Sequence, residues 1–207
     1  FTSSGGGTID TSTSASVNFI MANNGVYTSA GGAQNQIIGS SSINMNFKAL
    51  TFSVAQGTDA NADLVVSVPL VNSANGITKT GNGTLVLSAN NTYTGGTTIS
   101  DGVLEVGNGG ANGSLGSGNL TNSGAFVWNK SNNETYSILI SGTGRFRKTG
   151  DGTLTLANTN TYTGPTVIHK GNLKLAMITG HVANTGYRPL QGTITVQTNG
   201  TLSFATN

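Results

Sequence analysis

Residues 79–106 read KTGNGTLVLSANNTYTGGTTISDGVLEV, and residues 148–175 read KTGDGTLTLANTNTYTGPTVIHKGNLKL. The two stretches align without a gap at an offset of 69, with 16 of 28 positions identical. Biased composition alone does not set Lys79 on Lys148, Leu85 on Leu154, Tyr93 on Tyr162 and Leu104 on Leu173 in one register. A repeat of this length marks an architecture built by stacking like units, so it outranks every shorter pattern in the chain.

Fainter copies flank it. Leu70, Val71 and Ile77 fall on Leu139, Ile140 and Phe146 at the same offset, and NLTNSGAFVW at 119–128 resembles TVQTNGTLSF at 195–204 at an offset of 76. The longer second offset places an insertion at 177–189, MITGHVANTGYRP, which breaks the alternation and reads as a loop. Inside the units a pair of short strands meets at a Gly corner, as in TTIS-DG-VLEV and TVIH-KG-NLKL. Alternation turns Leu85, Leu87, Ile99, Leu104, Leu154, Leu156, Ile168 and Leu173 inward, with Gly95, Gly102, Gly164 and Gly171 as corners.

An Asp-Gly or Asn-Gly pair between strands is also a hairpin signal, so a sandwich of hairpins is the competing architecture. The long period favours a solenoid, in which Asn, Thr and aliphatic ladders stack each on its own kind. The predicted class is therefore all-β, a parallel β-helix. Dividing the 69-residue offset by three predicts coils of roughly 23 residues and about nine coils in all, stacked at ~4.8 Å. Residues 1–60 are less regular and read as early coils or a cap; 61–207 read as the solenoid proper.

Composition agrees. Of 207 residues only 35% are hydrophobic and 8% charged, while Gly, Thr, Asn and Ser supply 108. A thin column of apolar side chains per coil needs no more than that. Helix formers are too sparse for long helices, and nine basic against seven acidic side chains cannot hold a chain open by repulsion. A net charge of +2, clustered only at Arg145, Arg147 and Lys148, excludes a nucleic-acid-binding face. With no cysteine there is no disulfide, thiolate nucleophile or Cys-bound metal. No run of 18 apolar residues is present, so this segment carries no membrane-spanning helix. The opening FTSSGGG is not a signal peptide, which leads to the expectation of a processed form or a fragment.

The pattern G-x-G-T-L-x-L, then N-T-Y-T-G, then T-x-I-x-x-G-x-L occurs at 81–104 and again at 150–173. It resembles the passenger-associated repeat of bacterial autotransporters. The resemblance implies a right-handed parallel β-helix displayed outside the outer membrane or secreted, usually as a stalk with activity carried elsewhere. No membrane barrel is expected within these 207 residues, and the strand-like segment at 201–205 is expected to leave an open sheet edge.

Chemistry is sparse. Asp101 and Glu105 are the nearest pair of carboxylates in the repeats, but Lys170 and Lys174 replace them in the second copy, so a turn residue and a solvated strand position are expected. Asp59 and Asp63 receive the same reading in a loop. His169 stands where Ser100 stands in the first copy, on the outer face, and His181 has no carboxylate or second His beside it for a metal. GNGTLVL and GDGTLTL are similar to half of a calcium-binding nonapeptide, but Leu85 and Leu154 occupy the ligand position. Tyr93 and Tyr162 read as corner packing and Trp128, aligned with Phe204, as a ladder residue. No cofactor or metal is expected. Repeat logic leaves only the loop with His181, Tyr187 and Arg188 unexplained, which makes it the candidate contact surface.

Three functions compete. The first is a non-catalytic surface scaffold or adhesin segment, meeting a host or surface glycan or protein. The second is a filament subunit, self-associating through open solenoid ends or meeting flanking coils of a longer chain. The third is a glycan-binding or glycan-cleaving β-helix, which calls for an aligned row of carboxylates or aromatics.

Overall fold

The computed structural model describes residues 2–3, 8–10, 25–29, 34–45, 48–58, 62–176 and 190–205. Among them no helix occurs, and every strand pairing is parallel. Hairpins produce antiparallel neighbours, so the sandwich is eliminated and the solenoid stands.

The chain winds over three faces in a fixed order. Face one stacks Gly25–Ser29, Leu50–Val54, Ile77–Thr80, Thr97–Ile99, Leu120–Asn122 and Ile140–Ser141, with Thr2–Ser3 beside the first. Face two stacks Thr8–Asp10, Asn35–Ile38, Leu64–Val66, Thr84–Leu87, Val103–Val106, Ala125–Trp128 and Arg145–Lys148, then the first half of Thr166–Leu175. Face three begins as Ile43–Asn44 against Leu70–Val71 and a lone bridge from Asn90 to Ser114. It lengthens into Glu134–Tyr136, Thr153–Leu156 and the second half of Thr166–Leu175. Ile194–Phe204 follows the same bend and pairs with both halves. The described strands before residue 60 thus enter the same faces as the later ones.

The interior is a column, one or two residues wide per face. Leu85, Leu87, Ile99, Leu104, Leu154, Ile168 and Leu173 are 0% exposed and Leu156 is 2% exposed. Each such side chain contributes ~1.5–3 kcal/mol by leaving water. From Phe126 onward the column becomes aromatic: Phe126 stacks on Phe146 at 5.5 Å and on Tyr136 at 6.4 Å, and Phe146 meets Tyr162 edge-on at 6.2 Å.

Register also fixes the coil length. On face one Ile77 neighbours Thr97, Thr97 neighbours Leu120, and Leu120 neighbours Ile140, steps of 20, 23 and 20 residues. These three coils average 21 residues, shorter than the 23 expected, whereas the coil from Leu50 to Ile77 takes 27, and the shortfall between the copies changes the phase of the repeat. Three coils carry Ile77 to Ile140, but its counterpart in the second copy is Phe146, already on face two. Leu85 lies on face two and its counterpart Leu154 on face three. The second copy is therefore three coils and one face beyond the first. Equal division of the offset assumed that sequence period and coil period coincide; they do not.

Candidate functional site

The polar letters of the repeat build its corners. Lys79 and Lys148 alternate inward with Ile77 and Phe146 and are 0% exposed. The Lys79 ammonium donates to the carbonyls of Thr80 at 2.9 Å, Gly81 at 2.6 Å and Asp101 at 3.3 Å. Lys148 donates to the equivalent carbonyls of Gly150 and, at 3.0 Å, Lys170, and lies 4.6 Å from the Trp128 ring centroid. Burial lowers both ammonium groups to about 8, with Asp101 and Asp63 opposing at Lys79 and Asp151 at Lys148. Gly102 and Gly171 make the convergence possible, with φ of +66° and +69° and neighbouring carbonyls where a Cβ would stand. At Gly95 and Gly164 the φ is ordinary, but the preceding rung's backbone occupies the Cβ position.

Asn and Tyr complete the arrangement. Asn91 and Asn160 are buried, and their side-chain oxygens accept from the backbone N–H of Leu70 at 2.8 Å and Ile140 at 2.9 Å, one rung back. Tyr93 and Tyr162 are 0% exposed and share hydrogen bonds with the Thr97 and Thr166 hydroxyls at 2.7 and 2.6 Å. Burial pushes the Tyr93 phenol up to about 12 and the Tyr162 phenol higher still, each opposed by its threonine. Neither ring offers a face to a ligand, and Trp128 is equally enclosed. Chains that interrupt backbone pairing at corners leave N–H and C=O groups that must be satisfied; these side chains satisfy them.

The carboxylates are dispersed. Asp101 is exposed at its corner and accepts from the Gly102 N–H at 2.7 Å. Glu105 is half-buried on the outer side of face two, where Asn129 donates to it at 2.7 Å; burial raises its carboxyl, with Asn129 and Arg147 opposing. Glu134 pairs with Lys130 at 2.7 Å. Asp63 departs from the solvated reading: it is 7% exposed and accepts from the backbone N–H of Gly57 and Thr84, tying a long excursion between faces to the next rung. His169 accepts from Arg147 Nε at 3.3 Å. Among the described residues no cluster of three His, Cys, Asp or Glu side chains could hold a metal. His181, Tyr187 and Arg188, like Asp59, lie outside the described residues.

Among the described residues the outer side of face two carries a concavity. Val65, Val86, Glu105, Val127 and Arg147 stand in one cross-strand ladder on successive rungs. Two adjoining hollows, of about 540 and about 360 Å³, follow this ladder and share Ala62, Val86 and Asn108. Sequence reasoning missed this feature because Glu105 and Arg147 are far apart along the chain and belong to different phases of the repeat.

A family model described as Passenger-associated-transport-repeat matches residues 77–106 and 146–175. The chain is also similar to the adhesin BmaC autotransporter of Brucella suis biovar 1 (strain 1330), 46% identical over 68 residues. That likeness covers 33% of this chain and spans 2% of the relative's length. No solved structure matches the chain significantly. Both matched units fall on the two copies whose corners are described above, and in these units the chain is similar to autotransporter passengers that carry the same repeats.

Proposed function

We propose that the chain is a non-catalytic scaffold segment of a surface-displayed or secreted adhesin passenger, holding other parts of the molecule at a distance from the cell. The observation that carries this reading is the use of the repeat's recurring polar side chains. Lysine, asparagine and tyrosine are all turned inward to hold one coil on the next, which leaves them no role toward a substrate. A stack of this kind gains length by adding rungs without redesigning a core.

The test is an excision in the full-length passenger. Removing residues 77–139 joins Gly76 to Ile140, the face-one counterpart of Ile77 three coils on, and so preserves register. The expected product is exported, shorter and still adherent. Loss of adhesion with export intact would overturn the scaffold reading.

Self-association is the second reading. Among the described residues Ile194–Phe204 pairs only with Thr166–Leu175, and Val196 and Phe204 are 45% and 58% exposed. A further coil of a longer chain, or a second copy, would cover that edge. Sedimentation of the 207-residue chain across a concentration series decides between them: growth in mass supports the second copy, and a monomer at every concentration removes it.

A further inference from the structure

We infer that the outer groove of face two is a binding site for a neutral, linear hexose oligosaccharide lying along the solenoid axis. This goes beyond the scaffold reading and stands without it.

The ladder is recessed rather than flat. Val86 and Val127 point away from the core and lie outside its cluster, yet they are only 2% and 4% exposed. The groove crosses six rungs, from Gln36 to Arg147, a length of about 24 Å at the spacing of paired strands. Amide side chains line it: Gln34, Gln36, Asn108 and Asn129.

Two charged groups are left with open hydrogen-bonding capacity. Glu105 uses Oε1 for Asn129, and its Oε2 has no partner among the described residues. Arg147 spends Nε on His169, and its terminal nitrogens make no hydrogen bond among those residues. The two are not an ion pair, because they stand two rungs apart, about 10 Å, with Val127 between them. An acceptor and a donor fork two rungs apart, with amides along the walls, match hydroxyls on separate sugars of one chain, since each hydroxyl can both donate and accept. One positive and one negative group leave no net attraction for a charged polymer. Rungs repeat at nearly the advance of one hexose in an extended chain, so successive sugars meet successive rungs in the same phase.

The alternative occupant, an extended peptide, is disfavoured. Peptides join sheets by adding a strand to a free edge. The inner rungs of this groove have both edges already paired.

The experiment is a titration of the isotopically labelled 207-residue chain with cellohexaose, read by backbone amide shifts. Shifts are expected at Val86, Glu105, Asn108, Asn129 and Arg147, with affinity at least tenfold weaker for cellobiose. Glu105→Ala and Arg147→Gln should each weaken binding about tenfold, and Asp101→Ala, on an exposed corner outside the groove, should leave it unchanged. Should either groove variant fail to fold, the shift map on the unaltered chain decides. No shifts with cellohexaose, laminarihexaose or chitohexaose at millimolar concentration, or shifts confined to residues outside the groove, would overturn the inference. So would saturation of the groove by an extended peptide in place of a glycan.

Discussion

Replacing Lys148 by Met keeps the length and apolar stem of the side chain while removing its charge and three donors. The carbonyls of Gly150 and Lys170 then face a thioether that cannot donate. Each buried acceptor left without a partner costs ~1–3 kcal/mol, and the cation over Trp128 adds ~1 kcal/mol. Against this stands the desolvation no longer spent on a buried ammonium. The expected balance is a loss of ~2–4 kcal/mol. Urea unfolding followed by the fluorescence of Trp128, the single tryptophan, measures it directly: the midpoint should fall with the slope unchanged. A variant as stable as the parent, or more so, would refute the argument, because it would mean that desolvation outweighs the carbonyl cage.

The pH dependence of the same lysine gives a second readout. Its folded value of about 8 lies below the unfolded value of 10.5, so between those limits the unfolded chain holds more protons. Stability should therefore rise from pH 8 upward, by at most about 1.4 kcal/mol per pH unit for each buried lysine. Lys148→Met should remove part of that slope and Lys79→Met the remainder. Measurements belong below pH 10, since above it the unfolded tyrosines ionise first and the sign reverses.

Gly171→Ala should cost ~2–4 kcal/mol, because the residue must hold a φ of +69° and its Cβ would lie 2.5–2.6 Å from the carbonyls of Gly150, Asp151 and Gly152; thermal melting with and without the substitution measures it. Tyr162→Phe leaves the ring in the aromatic column but strips Thr166 of its partner, for an expected loss of ~1 kcal/mol in urea. Asp63→Ala frees the N–H groups of Gly57 and Thr84, and amide exchange at those two positions should accelerate well before global stability falls.

The fold was legible because its signal is one of recurrence. Two gapless copies require that like stack on like, and the parallel ladders from Leu64 through Phe146 are the physical form of that requirement. What the sequence did not disclose was phase. A period of 69 residues divides evenly into coils of 23, and only hydrogen-bond register reveals that the three coils from Ile77 to Ile140 span 63. Lys79 and Lys148 were visible as aligned residues, but lysine is almost never fully buried, so nothing in a hydropathy pattern turns them inward; the signal lay in their place before a Gly corner. The groove was illegible for a different reason. Its members, such as Glu105, Val127 and Arg147, follow one another across rungs and not along the chain.

The one-face advance between the copies makes the molecule behave like a vernier. Sequence and coil count on two scales that do not divide into each other, and each repeat reads a third of a turn further on. Outward residues that recur in the unit, such as Thr98 and Val167, consequently point in different directions from the axis. A third unit at the same interval would occupy the remaining face, and a fourth would return to the first. Tandem duplication of such a unit thus lengthens the rod while distributing any new surface letter in a spiral. A single beneficial substitution, copied with its repeat, is offered to every side of the approach.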